Sequence, residues 1–255
     1  MSLPRRLVAV SAAVLACAAP AAAPASAVVG GSEVPASSYP WLGAVGSPLF
    51  VVRGSGQFCG GVLIAPDQLL TAAHCLQLPG PVSVPLTSVM LKVVFGRSEL
   101  TEHDGTTVGV TSVRVHPGFR TENVDGVDVF HHDLAILTLS SPLPGPTVDL
   151  GAPHGDSASI IGWGGTSSDD TDLSNTRLHA ASVPLVPDDA CAAAYGAAFD
   201  PSDMVCAGST TADTGEFDSG GPLVVDGKVV GITSWGRGTA QPGSPGVYAR
   251  LPQPF

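Results

Sequence analysis

The sequence is poor in charged residues, and poorest in basic ones. Only 13% of its 255 residues are charged and 44% are hydrophobic, a balance that excludes an intrinsically disordered chain. It has 11 lysines and arginines against 22 aspartates and glutamates, and only two of the basic residues, Lys92 and Lys228, are lysines. The formal net charge of −11 disfavours nucleic acids and anionic membranes as partners, and it would attract cationic peptides.

Helical periodicity is nearly absent as well, which argues against an all-α fold. Short apolar or alternating runs, separated by turns rich in the 31 glycines and 23 prolines, predict β-strands instead. Asp226-Gly227 predicts a tight hairpin turn. The clearest helix signal spans 187–195, opened by Pro187 and Asp188 and closed near Gly196. The predicted strands lie at 61–64, 91–95, 108–115, 134–139, 159–163, 223–225 and 229–235.

The segment 140–149, SSPLPGPTVD, is stiff and has no strand or helix pattern. It therefore indicates a crossing between two parts of the chain. The length is sufficient for one large unit or for two small domains with real cores. We predict an all-β protein of two barrel-like halves.

The first 27 residues predict an export signal. Arg5 and Arg6 form a basic start, and an apolar run follows at 7–19. A membrane anchor is the alternative, but the run is too short and too rich in alanine to span a bilayer comfortably. Ala25-Ser26-Ala27 supplies the small residues that signal peptidase prefers, which predicts cleavage before Val28.

Cysteine is scarce, and Cys17 would leave with the signal, so four cysteines remain. An even number in an exported chain indicates disulfides, and four cysteines allow three pairings. Their spacing favours two local loops, Cys59 with Cys75 and Cys191 with Cys206. Zinc binding is the alternative, and the lack of a CxxC pair argues against it.

Three motifs carry residues suited to amide hydrolysis, which needs an activated nucleophile, a proton shuttle, an orienting group and donors for the oxyanion. Ser219 lies in DSGGP, where glycines permit unusual backbone angles and close approach of a substrate. His74 stands beside Cys75, and Asp133 begins an apolar strand. Each motif alone has an ordinary structural explanation, such as a surface turn. Their order along the chain, His then Asp then Ser, favours catalysis.

Further motifs extend the pattern from Val28 almost to the C-terminus. They are VVGG (28–31), CGGVLIAP (59–66), TAAHC (71–75), HHDLAILTL (131–139), IGWG (161–164), MVCAG (204–208), DSGGPLV (218–224), SWG (234–236) and PGVYARL (245–251). With these motifs in this order, the chain resembles the trypsin/chymotrypsin family of serine proteases, especially the secreted trypsins of actinobacterial type.

The resemblance implies a chymotrypsin-like fold of two six-stranded antiparallel β-barrels with the active site between them. Residues 28–142 would form the first barrel and residues 143–255 the second. Ser219 would attack the scissile carbonyl, His74 would take and return the proton, and Asp133 would hold the imidazole in the useful tautomer. This triad chemistry is carried over from the family. The remaining histidines match no catalytic motif, and we expect them at the surface: His103, His116, His131, His132, His154 and His179.

The resemblance also assigns the groups around the triad. The N–H groups of Phe217 and Ser219 would form the oxyanion hole. A freed α-amino group at Val28 would pair with Asp218 and order that loop, since breaking either partner of a buried pair leaves a costly charge.

The primary pocket is assigned in the same way, to Asp213, Ser234, Gly236 and Gly246. Asp213, six residues before Ser219, would select arginine or lysine by charge pairing, and the glycines would leave room for a long side chain. The alternative is that Asp213 is a solvated loop residue.

Three features depart from the family pattern. Phe217 replaces a glycine, which keeps the backbone donor but restricts the backbone. Gly215 and Thr239 replace a cysteine pair, so the walls of the pocket should be looser. The closing residues LPQPF, after the PGVY strand, do not fit the helix with which the family ends, so the C-terminal helix is expected to be missing.

The implied mechanism requires no cofactor, and Glu99, Glu102 and Asp104 match the family's calcium loop too poorly to predict a metal. The implied partners are peptide or protein substrates and protein protease inhibitors of a secreted, extracellular monomer. Two alternatives to an endopeptidase directed at arginine or lysine stay open. One is an impaired homologue that binds peptides, and the other is an active enzyme with a changed preference.

Overall fold

The computed structural model describes residues 28–53, 55–78, 84–169 and 171–251. The predicted export signal, residues 1–27, and residues 252–255, where the closing helix would fall, lie outside the described residues. Within these ranges the chain is mostly β-strand, with a single α-helix, α1 (Asp188–Tyr195), and four short 3-10 turns. The helix predicted at 187–195 is confirmed, with Pro187 as its N-cap.

The strands are short and follow one another closely. In chain order they are β1 (Ser32–Glu33), β2 (Leu42–Gly46), β3 (Gln57–Ala65), β4 (Gln68–Thr71), β5 (Gln77–Leu78), β6 (Val84–Pro85), β7 (Lys92–Phe95), β8 (Thr106–Val115), β9 (Arg120–Val124), β10 (Val127–His131), β11 (Ala135–Leu139), β12 (Ser157–Gly162), β13 (His179–Val186), β14 (Met204–Ala207), β15 (Pro222–Val225), β16 (Lys228–Trp235) and β17 (Gly246–Arg250).

Six strands of the first half close into an antiparallel barrel in the order β11-β4-β3-β2-β7-β8, with β8 pairing back to β11. Its interior is filled by apolar side chains that alternate along the strands, as in β8, where Val108 and Val110 are buried. Closure leaves the barrel without a free strand edge.

Six strands of the second half close in the order β13-β12-β15-β16-β17-β14, with β14 pairing back to β13 and β1 added at the outer edge of β13. All pairings are antiparallel. The hairpin turn predicted at Asp226-Gly227 is confirmed: both residues have positive φ, as a tight primed turn requires. The predicted architecture of two six-stranded barrels is confirmed.

The segment 140–149 connects the two barrels without forming a strand. At its end Val148 donates its N–H to Leu63 of the first barrel, and Gly151 donates to Val229 of the second. The exact boundary after residue 142 stays a prediction. The hairpin β9–β10 was not predicted, although its turn, Asp125-Gly126, carries the same signal and the same positive φ values.

Candidate active site

His74 is held at the rim of the first barrel. It begins a 3-10 turn directly after β4, and Cys75 is joined by a disulfide to Cys59 of β3. This disulfide and the one between Cys191 and Cys206 are the pairings that the spacing favours. His74 therefore has a fixed backbone, while its ring remains partly exposed in the cleft.

Asp133 orients that ring. Its Oδ2 lies 2.7 Å from His74 Nδ1 and accepts the Ser234 hydroxyl at 2.6 Å, and its Oδ1 accepts the His74 N–H at 2.8 Å. Complete burial acts to raise the pKa of the Asp133 carboxyl, but the charge and hydrogen bonds of His74 and the Ser234 hydroxyl outweigh it and lower that pKa. The carboxylate is therefore ionised, which fixes the proton on Nδ1 and leaves Nε2 free to accept another.

Ser234 was assigned to the primary pocket, and that assignment stays a prediction. Its hydroxyl bonds to Asp133, and Ser234 also lines a small cavity together with Asp213 and Ser219.

Ser219 lies where the two barrels meet. Gly60 of β3 donates its N–H to the Ser219 carbonyl at 2.8 Å, and Gly220 donates to Thr233 of β16. Gly220 has φ +77°, and a Cβ there would come within 2.4 Å of Thr71 Oγ1. Only glycine fits this position, which explains why the motif contains it. Ser219 and His74 line the same cleft, whose volume is about 800 Å³.

Asp218, immediately before the serine, is buried. Gly164 donates its N–H to Oδ1 at 2.8 Å, and Gly215 donates to Oδ2 at 3.0 Å. A Cβ at Gly162 or Gly164 would clash with the carboxyl group, so the glycines of IGWG make room for it. Burial raises the pKa of Asp218 to about 6, despite these bonds and the positive charge of Arg53. The charge of Arg53 thus compensates only part of the effect of burial.

A smaller cavity, of about 140 Å³, is lined by Ser219 and by the buried Asp213. Thr214 and Ala240 donate backbone N–H groups to its carboxylate, each at 2.9 Å. A Cβ at Gly208 or Gly246 would approach Asp213 Oδ1 to 2.8 Å, so both glycines give the carboxylate its space. Asp213 is not a solvated loop residue, and Gly236, Gly215 and Thr239 lie on the walls of the same cavity.

Comparison with known proteins agrees with this geometry. The sequence model of the family described as Trypsin matches residues 28–254. The chain is 38% identical to a trypsin of Saccharopolyspora erythraea over 88% of its own length and 93% of the relative, and 34% identical to trypsin delta of Drosophila erecta over 88% and 84%. It superimposes on neuropsin, a serine protease expressed in the limbic system of mouse brain, with a TM-score of 0.73 and 31% identity, over 88% of this chain and 95% of the other.

The chain belongs to the trypsin family. It is a trypsin-like serine endopeptidase that acts on peptide or protein substrates. None of the described residues forms a helix that is long and apolar enough to cross a membrane.

The main departure of this trypsin-family chain is the conformation of Phe217, which has φ +71°. This left-handed region is natural for glycine, but it costs about 1–2 kcal/mol for a residue with a Cβ. The sequence predicted a restricted backbone at this position, and the structure shows that the backbone is held in the left-handed region. Within the described part of the chain, no hydrogen bond uses the N–H of Phe217 or of Ser219.

The hairpin β9–β10 contributes a side chain that sequence reasoning missed. The ring of Phe130 stacks on the His74 imidazole, with centroids 4.7 Å apart and planes 12° from parallel. Phe130 therefore limits the rotation of the His74 ring. The alternation of apolar and polar residues around Asp125-Gly126 was the signal that could have predicted this hairpin.

The expectation that the other histidines lie at the surface is wrong for three of them, since His116, His131 and His179 are buried. His131 Nδ1 lies 3.3 Å from Asp203 Oδ2, and that same oxygen accepts the N–H of His132 at 2.8 Å. His132 has φ +45°, and it directly precedes Asp133. The buried pair thus anchors the strained peptide that precedes Asp133.

Two sets of side chains among the described residues have the composition of a metal site. Cys59, His74 and Cys75 form the first, but the two sulfurs are joined to each other and offer no thiolate. His131, Asp200 and Asp203 form the second, and there Asp203 already holds His131 and His132. Neither set is assigned a metal.

Proposed function

We propose that this protein is a secreted endopeptidase that cleaves peptide bonds after arginine or lysine through an acyl-enzyme intermediate. The observation that carries the specificity is that the buried Asp213 lines the same cavity as Ser219. A buried carboxylate favours a cationic side chain that can reach it, because charge pairing is strong where water is excluded.

The triad supplies the chemistry. Ser219 Oγ attacks the carbonyl carbon of the substrate while His74 Nε2 takes its proton, and that proton then passes to the leaving amine. Water attacks the acyl-enzyme in the same manner and regenerates Ser219. Asp133 stays ionised throughout and stabilises the imidazolium, as its lowered pKa requires.

The oxyanion that develops in each step would be bound by the N–H groups of Phe217 and Ser219. The Asp218 N–H between them is used internally by the Gly215 carbonyl, at 3.1 Å. Donors that already point at the site stabilise charge without reorganising, and losing one costs about 10²–10³ in rate.

A burst titration tests this function. The protein beginning at Val28 is mixed with an arginine ester that leaves a chromophore, and the amplitude of the first turnover counts the active serines. We expect a burst close to one per chain, followed by steady turnover. A folded, disulfide-bonded sample without a burst would support the second candidate, a peptide-binding homologue, which the strained Phe217 favours.

Replacing Asp213 with serine is expected to lower kcat/KM for an arginine amide by about 10³-fold, because the cationic side chain would be buried without a partner. The same variant should lose no more than about threefold toward a leucine amide, which serves as the internal control. Equal losses toward both amides would show that Asp213 supports the loop rather than selecting the substrate.

We also propose that removal of the export signal itself produces the active N-terminus. Val28 is fully buried and has φ +57°, where a β-branched residue is an outlier. That torsion includes the bond to residue 27, so the strain exists only while the preceding peptide is intact. Cleavage would relieve it and would supply the ammonium group that the Asp218 carboxyl lacks.

The pH dependence of stability checks this activation. The first protein carries Ser219→Ala and is extended at its N-terminus by Ser26-Ala27. In it, the raised pKa of Asp218 stabilises the fold fully below about pH 4, and this stabilisation is lost as the pH rises through about 6. The difference in the free energy of unfolding is about 3 kcal/mol. In the protein beginning at Val28, the ammonium group would keep Asp218 ionised and remove that loss. The free energy of unfolding of each protein is measured with urea from about pH 4 to pH 7. Plotted against pH, the two free energies should diverge, and parallel plots would contradict the pairing of Val28 with Asp218.

A further inference from the structure

Phe217 needs support from its surroundings, because its left-handed backbone sets the direction of an oxyanion-hole N–H. At φ +71° the residue is strained, and rotation of either adjoining peptide would relieve the strain and turn that donor away. Three side chains that precede the motif at 59–66 contact Phe217, and they are Phe50, Arg53 and Gln57.

The ring of Phe217 is held by Arg53 and Phe50. The guanidinium carbon of Arg53 lies over the ring, 4.8 Å from its centroid, and the Phe50 ring meets it edge-on at 6.0 Å. A cation over an aromatic face is most effective when both groups are removed from water, and Arg53 is only 4% exposed. The ring therefore has a preferred position.

The carbonyl of Phe217 is held as well. Gln57 Nε2 donates to it at 2.9 Å and to the Cys59 carbonyl at 3.1 Å, while Arg53 Nη1 donates to Gln57 Oε1. An arginine has only donors, so it forces the amide oxygen of Gln57 toward itself and the amide nitrogen toward Phe217. Arg53 thus fixes both the ring and, through Gln57, the backbone.

The burial of Arg53 is costly to the fold. Its Nη2 donates to the Trp163 carbonyl at 3.0 Å, but its Nε has no hydrogen-bond partner among the described residues. Burial lowers the pKa of Arg53, and the negative charges of Asp218, Asp172 and Glu99 oppose that. A well-packed apolar residue commonly stabilises a fold as much as a buried charge does.

We infer that Arg53 is a positioning residue for the oxyanion hole, which clamps Phe217, directly and through Gln57, in the left-handed conformation that catalysis requires. The inference rests on the proposed function, because it assigns the Phe217 N–H to the developing oxyanion. It predicts that Arg53 matters only while residue 217 is strained.

The test measures Arg53→Met in two backgrounds, the natural sequence and Phe217→Gly, with kcat per burst-titrated site. Next to Phe217 we expect kcat to fall about 5- to 30-fold, the factor that corresponds to the strain of a left-handed residue, while KM changes less than about threefold. In the Phe217→Gly background kcat should fall less than about threefold, because glycine holds this conformation without help. Arg177→Met, at an exposed arginine paired with Glu33, is the control and should keep kcat in both backgrounds.

Equal losses of kcat in both backgrounds would overturn the inference, since Arg53 would then act on Asp218 or on the fold rather than through Phe217. Turnover absent from the unaltered protein would overturn the proposed function together with it. If Arg53→Met does not fold, Arg53→Lys replaces it in both backgrounds. Lysine keeps the charge but lacks the fork that reaches Gln57 and Trp163, so kcat should again fall only beside Phe217.

Discussion

Replacing Ser219 with alanine is expected to lower kcat for an arginine amide by on the order of 10⁶-fold, because the proposed acyl-enzyme forms on the Ser219 hydroxyl. The fold should be unaffected. Ser219 is held through its backbone, by the N–H that Gly60 donates to its carbonyl, and that bond does not involve the hydroxyl. Steady-state hydrolysis and thermal unfolding of the same samples measure the two effects separately.

The control for this loss is Ser112→Ala, which changes an exposed serine of β8 and should keep full activity. The burst should vanish in Ser219→Ala and persist in the control. Residual turnover above about one per cent in Ser219→Ala would mean that another nucleophile does the chemistry, or that the activity does not belong to this chain.

The triad could be predicted from the sequence because each of its members is fixed by short-range constraints. Ser219 is followed by glycines whose neighbours leave no room for a Cβ. A disulfide adjoins His74, and a buried strand follows Asp133. Such constraints leave a signature within a few residues, so the three motifs could be recognised by their order and by the resemblance to the family.

The supports of the site could not be predicted in the same way, because they depend on contacts between distant segments. Arg53 meets Phe217 across 164 positions of sequence, and Trp163 accepts a bond from Arg53 across 110. An isolated arginine in a glycine-containing loop looks like an ordinary surface charge. Its burial follows only from its contacts with Phe217 and Trp163 of the second barrel.

The burial of these histidines could not be predicted for a related reason. A histidine without a catalytic motif is usually exposed, and the sequence gives no sign that His131 faces Asp203, 72 positions away. Phe130 could have been found, since the pattern around Asp125-Gly126 is that of a hairpin, and a hairpin leading into Asp133 must pass the histidine.

Asp133→Asn is expected to lower kcat near neutral pH by about 10⁴-fold, a magnitude carried over from the family's own triad. The hydrogen bonds explain why so small a change matters. Asp133 accepts three bonds, from the His74 ring, the His74 backbone N–H and the Ser234 hydroxyl, and donates none. Asparagine has one oxygen and one NH₂ group, so its NH₂ group must face a group that donates a hydrogen bond to Asp133 in the natural protein.

If the NH₂ group faces the His74 ring, Nδ1 has to accept and the proton moves to Nε2, where it blocks proton transfer from Ser219. If the NH₂ group faces the His74 backbone, two N–H groups oppose each other in a fully buried site, which costs about 1–3 kcal/mol. The first arrangement should dominate, so binding should survive and KM should change little. The exposed Asp149→Asn should keep kcat within about twofold, and a loss smaller than tenfold in Asp133→Asn would show that this carboxylate does not set the tautomer of His74.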